Sequence, residues 1–543
     1  MVVSLTVDKV TPQVKVLATG GGTTKTAEGA LALPMPADRS RMPVKVVLRA
    51  AGFDLDPSTP EEATIELDRA GDSTSARFRI IARPDAVGIC WLRVTFWRDN
   101  EFLANVSRKI EILPARSLAQ SPAAERALPK ASPPHARAGA PLSYAAPPHA
   151  DSSRLRLSAD SQVPIALRPR PIDLKVEVVY DDPRQLGRGR VTIASDYLGN
   201  LRHGEVNHSP DLVGWLDAFY REFRAEPTVE RVSGDAAADA AAWREARLGR
   251  MRAFGEELYR RAAPTMLKQA MAKLLADPSI TLRTVQIYSN NPLVPWELMR
   301  APKPEGGSTD FFGIAFALAR GHEDDEQLTV RPLQDQRVDE VVAIAPAYGQ
   351  QTALASPSQE IEQIRALLTT RQVAGRRSDF VSLVRQPPVG IVHFAGHGEM
   401  QGQTAVERRF AILLEDGMFD VMDWRGLPAS VSRARALFFF NACDIGQAES
   451  IAGAVEGWGP AVLAKGASGY VGGLWPLSDA PASRFAVTFY QTISEHLEQN
   501  TPASVADALA QARRLVYETG DPTYLAYAFY GDAQLQFVRA KEP

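Results

Sequence analysis

From residue 172 to the last residues, short apolar runs alternate with longer amphipathic ones. The runs Leu174-Lys-Val-Glu-Val-Val-Tyr, Arg190-Val-Thr-Ile-Ala-Ser, Leu282-Arg-Thr-Val-Gln-Ile-Tyr, Glu340-Val-Val-Ala-Ile-Ala, Gly390-Ile-Val-His-Phe-Ala, Ala436-Leu-Phe-Phe-Phe-Asn and Gly469-Tyr-Val-Gly-Gly-Leu read as strands. Near-continuous apolar character over that length marks strands covered on both faces. Spacing of three and four between apolar positions predicts helices near 209–226, 236–276, 358–370, 453–466, 480–496 and 502–518, which can do the covering. The long 236–276 segment reads as a helical insertion or a pair of helices. Residues 172–543 are therefore expected to form a three-layer α/β/α domain.

The first 113 residues carry a different pattern. Pro43-Val-Lys-Val-Val-Leu-Arg, Ala76-Arg-Phe-Arg-Ile-Ile-Ala and Cys90-Trp-Leu-Arg-Val-Thr-Phe-Trp alternate with period two between clusters of Gly, Pro, Asp and Ser. That pattern predicts a separate β-sandwich, regulatory or targeting in role, with Cys90 on its apolar register as a core thiol. Residues 114–171 are dominated by Ala, Pro, Ser and Arg and offer few large side chains to offset ordering entropy. A disordered, flexible linker is expected there, with His135 and His149 solvated.

Composition narrows the function classes. Across 543 residues, 61 Lys and Arg face 64 Asp and Glu, so no chain-wide positive field invites nucleic acid, and none is predicted as a partner. There is no apolar run of about 18 residues and no basic start followed by an apolar stretch, which predicts a cytoplasmic protein without a membrane. Two cysteines, Cys90 and Cys443, cannot build a disulfide framework or a cysteine zinc site, so no metal and no cofactor is predicted.

Two strand ends carry chemistry. Val392-His-Phe-Ala-Gly-His-Gly is expected to leave the sheet through a Gly396-His397-Gly398 turn, and Phe438-Phe-Phe-Asn-Ala-Cys-Asp-Ile-Gly through a turn carrying Cys443. In open α/β sheets, sites form in the crevice outside the carboxyl ends of the strands, where the two side chains can meet. A cysteine nucleophile needs a base, and histidine titrates near neutrality. The backbone N–H groups of Gly398 and Cys443 would form the oxyanion hole, each donor typically worth about 10²–10³ in rate.

These motifs, followed by Lys465-Gly-Ala-Ser-Gly-Tyr-Val-Gly-Gly-Leu-Trp-Pro-Leu-Ser-Asp, resemble the CHAT family of clan CD cysteine peptidases, relatives of caspases and separases. Val294-Pro-Trp-Glu-Leu-Met and Ala526-Tyr-Ala-Phe-Tyr-Gly-Asp are similar to that family's flanking signatures. The resemblance implies a caspase-like fold, with a pseudo-caspase half bearing the helical insertion over about 172–335 and a catalytic half over about 336–543. It places the catalytic histidine on His397 and the nucleophile on Cys443. The sequence departs from the family at Asn441, where serine is usual, and at Asp444. In metacaspase relatives an aspartate at the Asn441 position supports a basic P1 residue, so its absence removes that ground for Arg or Lys specificity. His393, Asn441, Asp444, Trp475 and Asp479 are the candidate substrate-cleft residues, His393 alternatively packing beneath the site; Trp296 is read as structural.

The function expected is a cysteine endopeptidase, a hydrolase cleaving a protein partner through a Cys-His dyad. The family resemblance implies a regulated bacterial defence or programmed-death protease, with an activating sensor or regulatory protein and a gasdermin-like pore former as substrate. Two alternatives stand beside it: a catalytically silent caspase-like adaptor, and a cysteine amidohydrolase acting on a small amide.

Overall fold

The computed structural model describes residues 2–8, 13–20, 23–30, 40–50, 53–60, 62–68, 73–83, 88–98, 101–112, 170–181, 186–199, 201–225, 236–322, 335–348, 356–401, 409–427, 435–444, 452–475 and 477–539. The expected linker over 114–171, with His135 and His149, falls almost wholly outside these residues, as does the side chain of Cys90.

The N-terminal strands are β1 (Val2–Asp8), β2 (Gln13–Gly20), β3 (Thr23–Ala30), β4 (Arg41–Ala50), β5 (Phe53–Leu55), β6 (Glu62–Asp68), β7 (Ala76–Ala82), β8 (Gly88–Arg98) and β9 (Glu101–Ile112). They form two sheets, ordered β3-β2-β1-β7-β5 and β6-β4-β8-β9, with every pairing antiparallel. Alternation along β4 buries Met42, Val44 and Val46, as the period-two pattern predicts.

The remaining strands run β10 (Leu174–Tyr180), β11 (Arg188–Ala194), β12 (Arg202–Asn207), β13 (Thr284–Ser289), β14 (Ala317–His322), β15 (Asp335–Arg337), β16 (Glu340–Ile344), β17 (Thr370–Val373), β18 (Gly390–Gln401), β19 (Arg409–Leu414), β20 (Gly417–Asp420), β21 (Leu437–Asp444), β22 (Gly469–Gly473), β23 (Tyr527–Tyr530) and β24 (Gln536–Val538). Thirteen of them make one sheet, ordered β12-β11-β10-β13-β14-β23-β22-β21-β18-β16-β17, with β19 and β20 extending from β18. Strands β16, β17, β18, β21 and β22 pair in parallel. Strand β23 runs antiparallel to β22 and meets β14 at Tyr530 and Arg320, joining two halves into one sheet.

Strand β21 shows why its apolar run is unbroken. Phe439 packs toward the helix Asp479–Gln499, against Phe489 and Tyr490. Its neighbours Phe438 and Phe440 meet Trp424 and Trp458 on the other face, from the helices Val421–Gly426 and Ala452–Ala464. A strand with helices on both faces has no polar side to offer. The seam between the halves is held by buried charge. Glu297 pairs with Arg320, both almost fully buried, and Arg513 donates to the carbonyls of Gly313 and Tyr527 at 2.7 Å each. Glu297 and Trp296 of the Val-Pro-Trp-Glu-Leu-Met motif are thus core residues, Trp296 only 1% exposed.

The sandwich is distinct in topology but in contact with the larger domain. Val47 and Trp97 pack with Ala194, Leu201 and Tyr288. Arg49 donates to the Thr192 hydroxyl and to His203 Nδ1, the latter at 2.6 Å, and Arg83 pairs with Asp181. No helix among the described residues is long and apolar enough to cross a membrane.

Candidate active site

His397 and Cys443 sit directly opposite each other on neighbouring strands. Parallel pairing of β18 and β21 holds register from Ile391 and Leu437 onward, so that His397 meets Cys443 and Gly398 meets Asp444. Adjacent strands lie about 4.8 Å apart, which brings the two backbones within reach of one hydrogen-bonded side-chain pair. The side chains of Cys443 and Asp444 lie outside the described residues, as does the segment 445–451 with Gly446. Past Phe440, where pairing with β22 ends at Gly472, the described part of β21 has only β18 as a ladder neighbour.

The expected Gly396-His397-Gly398 turn is not formed. Strand β18 continues extended through these residues because Gly398–Gln401 pairs antiparallel with Arg409–Ile412 of β19. Gly398 is therefore a ladder residue between Asp444 and Ile412. Cys443 likewise belongs to a strand rather than a turn.

His397 is 3% exposed and rests on Tyr348, ring centroids 4.5 Å apart at 43°. Strand β16 pairs with β18 only as far as Ile344 and Phe394, and β19 takes over at Gly398. The Tyr348 phenol fills the interval, accepting the His397 backbone N–H at 2.9 Å and donating to the Leu413 carbonyl at 2.8 Å. Gly396 allows this approach, since a Cβ there would lie 2.4 Å from the phenol oxygen. The loop carrying Tyr348 is fixed by Glu415, which accepts the backbone N–H groups of Ala347 and Gly375 and pairs with Arg376. Those bonds, led by the one from Ala347, hold the Glu415 carboxyl below the usual range.

Earlier along the same strands lies a buried polar network. Glu360, on the helix Ser356–Leu367, lies 2.7 Å from His393 Nε2 and accepts the Asn441 amide at 2.9 and 3.0 Å. The Asn441 amide also donates to the Ala482 carbonyl, while its oxygen accepts from the Tyr527 hydroxyl at 2.7 Å. Tyr490 lies 3.2 Å from His393 Nδ1, and burial followed by the Glu360 charge pushes its phenol well above the ordinary range. The network thus ties β18, β21, β23 and two helices together immediately before the His397 and Cys443 positions.

The sequence-predicted cleft residues separate accordingly. His393, Asn441 and Trp475 are 0%, 3% and 3% exposed, so none presents its side chain to solvent. Trp475 packs against Tyr220 and Phe223 of the helix Leu212–Arg224. Asp479 opens the helix Asp479–Gln499 and is part-exposed. Sequence reasoning missed Tyr348, Glu360, Tyr490 and Tyr527. Glu360 did leave a signal: it stands four residues before Ile364, where the helix buries its apolar face.

A histidine and a cysteine stand in register on adjacent parallel strands of a sheet with helices on both faces. The chain belongs to the CHAT domain family, which matches residues 252–529. Residues 172–251 lie outside that match, which is shorter than the resemblance read from the sequence. Among solved structures, the chain is similar to gingipain R, an Arg-specific cysteine proteinase, at 13% identity and TM-score 0.35, covering 50% of this chain and 67% of that one. It is also similar to the Saccharomyces cerevisiae separase–securin complex, at 10% identity and TM-score 0.37, covering 68% of this chain but only 30% of that one. No curated protein matches the chain.

Proposed function

We propose that the chain is a cysteine endopeptidase in which His397 takes the proton of the Cys443 thiol and the thiolate attacks a peptide carbonyl. The observation that carries this reading is the direct register of His397 against Cys443 on adjacent parallel strands. Attack forms a tetrahedral oxyanion, which the backbone N–H groups of Gly398 and Cys443 would receive once released from the strand ladders they occupy here. Collapse then expels the amine with the proton returned by His397, and water hydrolyses the thioester. A protein substrate and cytoplasmic, regulated action in a defence setting are part of the proposal, with a gasdermin-like pore former as the first substrate to try. The sandwich contacts through Arg49 and Arg83 offer a route by which a sensor could act.

N-terminal proteomics on cells expressing wild type beside Cys443→Ala tests the activity. New protein N-termini should appear only with wild type. On a verified substrate, Cys443→Ala and His397→Ala should each abolish cleavage, and the double variant should be no worse, because nucleophile and base act as a unit. If either single variant kept more than a few per cent of wild-type turnover, the dyad assignment would be wrong.

A further inference from the structure

We propose that Tyr348 is the positioning residue of His397, its phenol fixing the strand at that point and its ring supporting the imidazole when it carries the proton. The inference rests on the dyad reading above and adds to it a residue outside both catalytic strands. Three observations carry it. The phenol bridges the His397 N–H and the Leu413 carbonyl in the one stretch of β18 where neither β16 nor β19 is a ladder partner. The ring lies against the imidazole at 4.5 Å. Gly396 leaves the space that the phenol oxygen needs.

Each contact has its own consequence. Without the hydroxyl, a buried backbone N–H loses its acceptor and the strand can shift at His397, which affects how well the base is aimed. Without the ring, imidazolium loses the attraction of an aromatic face, and the thiolate–imidazolium form of the dyad is favoured less. Other charged groups on the packed elements are Glu415, held by Ala347 and Arg376, and, by position along the ladders, Glu399 and Asp444 beside Gly398. None of them is altered by substituting Tyr348.

The test is the rate of iodoacetamide labelling of Cys443 in the full chain, followed by peptide mass spectrometry between about pH 5 and 9, with Cys90 as the internal reference thiol. Wild type should label with a midpoint below the ordinary thiol value of about 8.5. Tyr348→Phe keeps the ring and should keep that midpoint, with the rate on a peptide substrate falling roughly three- to tenfold. Tyr348→Leu should raise the labelling midpoint by about one pH unit. Gly396→Ala, which displaces the phenol, should behave as Tyr348→Leu. A merely structural tyrosine would lower thermal stability in all three without separating the Phe and Leu midpoints. An activated wild type with an unchanged midpoint in Tyr348→Leu overturns the Tyr348 assignment alone. A wild-type Cys443 that labels like Cys90, unaffected by His397→Ala, overturns the dyad and the Tyr348 role with it.

Discussion

Replacing Glu360 by alanine should destabilise the domain around β18 and β21 by about 2–4 kcal/mol, because it leaves the buried His393 and Asn441 donors without their acceptor at about 1–3 kcal/mol each. The carboxylate serves three contacts, from His393 Nε2 at 2.7 Å and from the Asn441 amide at 2.9 and 3.0 Å. Glu360, His393 and Asn441 are all 3% exposed or less, so water cannot readily replace what is lost. Asn441 would retain only the Ala482 carbonyl for its amide, and His393 Nε2 would face the space the carboxylate had filled. Glu360→Gln keeps the shape but turns one acceptor into a donor facing other donors, and should cost about 1–3 kcal/mol. Urea unfolding of the full chain, followed by tryptophan fluorescence from Trp424 and Trp458 beside β21, measures both. A cycle with Asn441→Ala should show a coupling above about 1 kcal/mol. A loss below about 1 kcal/mol for Glu360→Ala, or strict additivity in the cycle, would show that the carboxylate is not the centre of the network.

Acid should weaken the contact between sandwich and sheet. Burial, then the charges of Arg49, Lys45 and Arg190, push His203 down to about 3, so it is neutral in the folded chain. The unfolded chain protonates it below about 6.5, so the stability it contributes is complete above that pH and is lost as the pH falls from there toward 3. His203→Gln should flatten that part of a stability-versus-pH curve, and an unchanged slope would exclude His203 as its source. Limited proteolysis should cut first between 114 and 170, and the purified fragment from about 172 onward should keep the labelling rate of Cys443. A fragment that lost it would show that the sandwich completes the site.

Much of the large sheet was legible because both-face burial writes itself as continuous apolar runs. The Leu437–Phe440 stretch reads as a central strand, and the order of the glycine-flanked histidine and the cysteine points to the two strands that pair in register. The Gly396-His397-Gly398 segment reads as a turn because glycine punctuates loops, whereas in the fold Gly396 permits close approach and β19 supplies an extended partner that no local pattern reveals. Strand β14, Ala317-Leu-Ala-Arg-Gly-His, hid behind an arginine that reads as exposed until Glu297 is found to pair with it. Tyr348 lies in a loop without periodicity, so its relation to His397 exists only in three dimensions.

Strand β23 has a consequence for how such a chain is made. It is synthesised after every other strand of the large sheet, yet it lies between β14 and β22, and its Tyr527 completes the hydrogen bonding of Asn441. Until it emerges, a nascent chain carries two unpaired apolar edges in place of one seam, the condition that invites aggregation and chaperone capture. The Tyr527–Asn441 contact beside His397 and Cys443 closes across 86 residues of sequence, and contacts of such separation slow folding. Until β23 is in place, the framework around His397 and Cys443 is not whole.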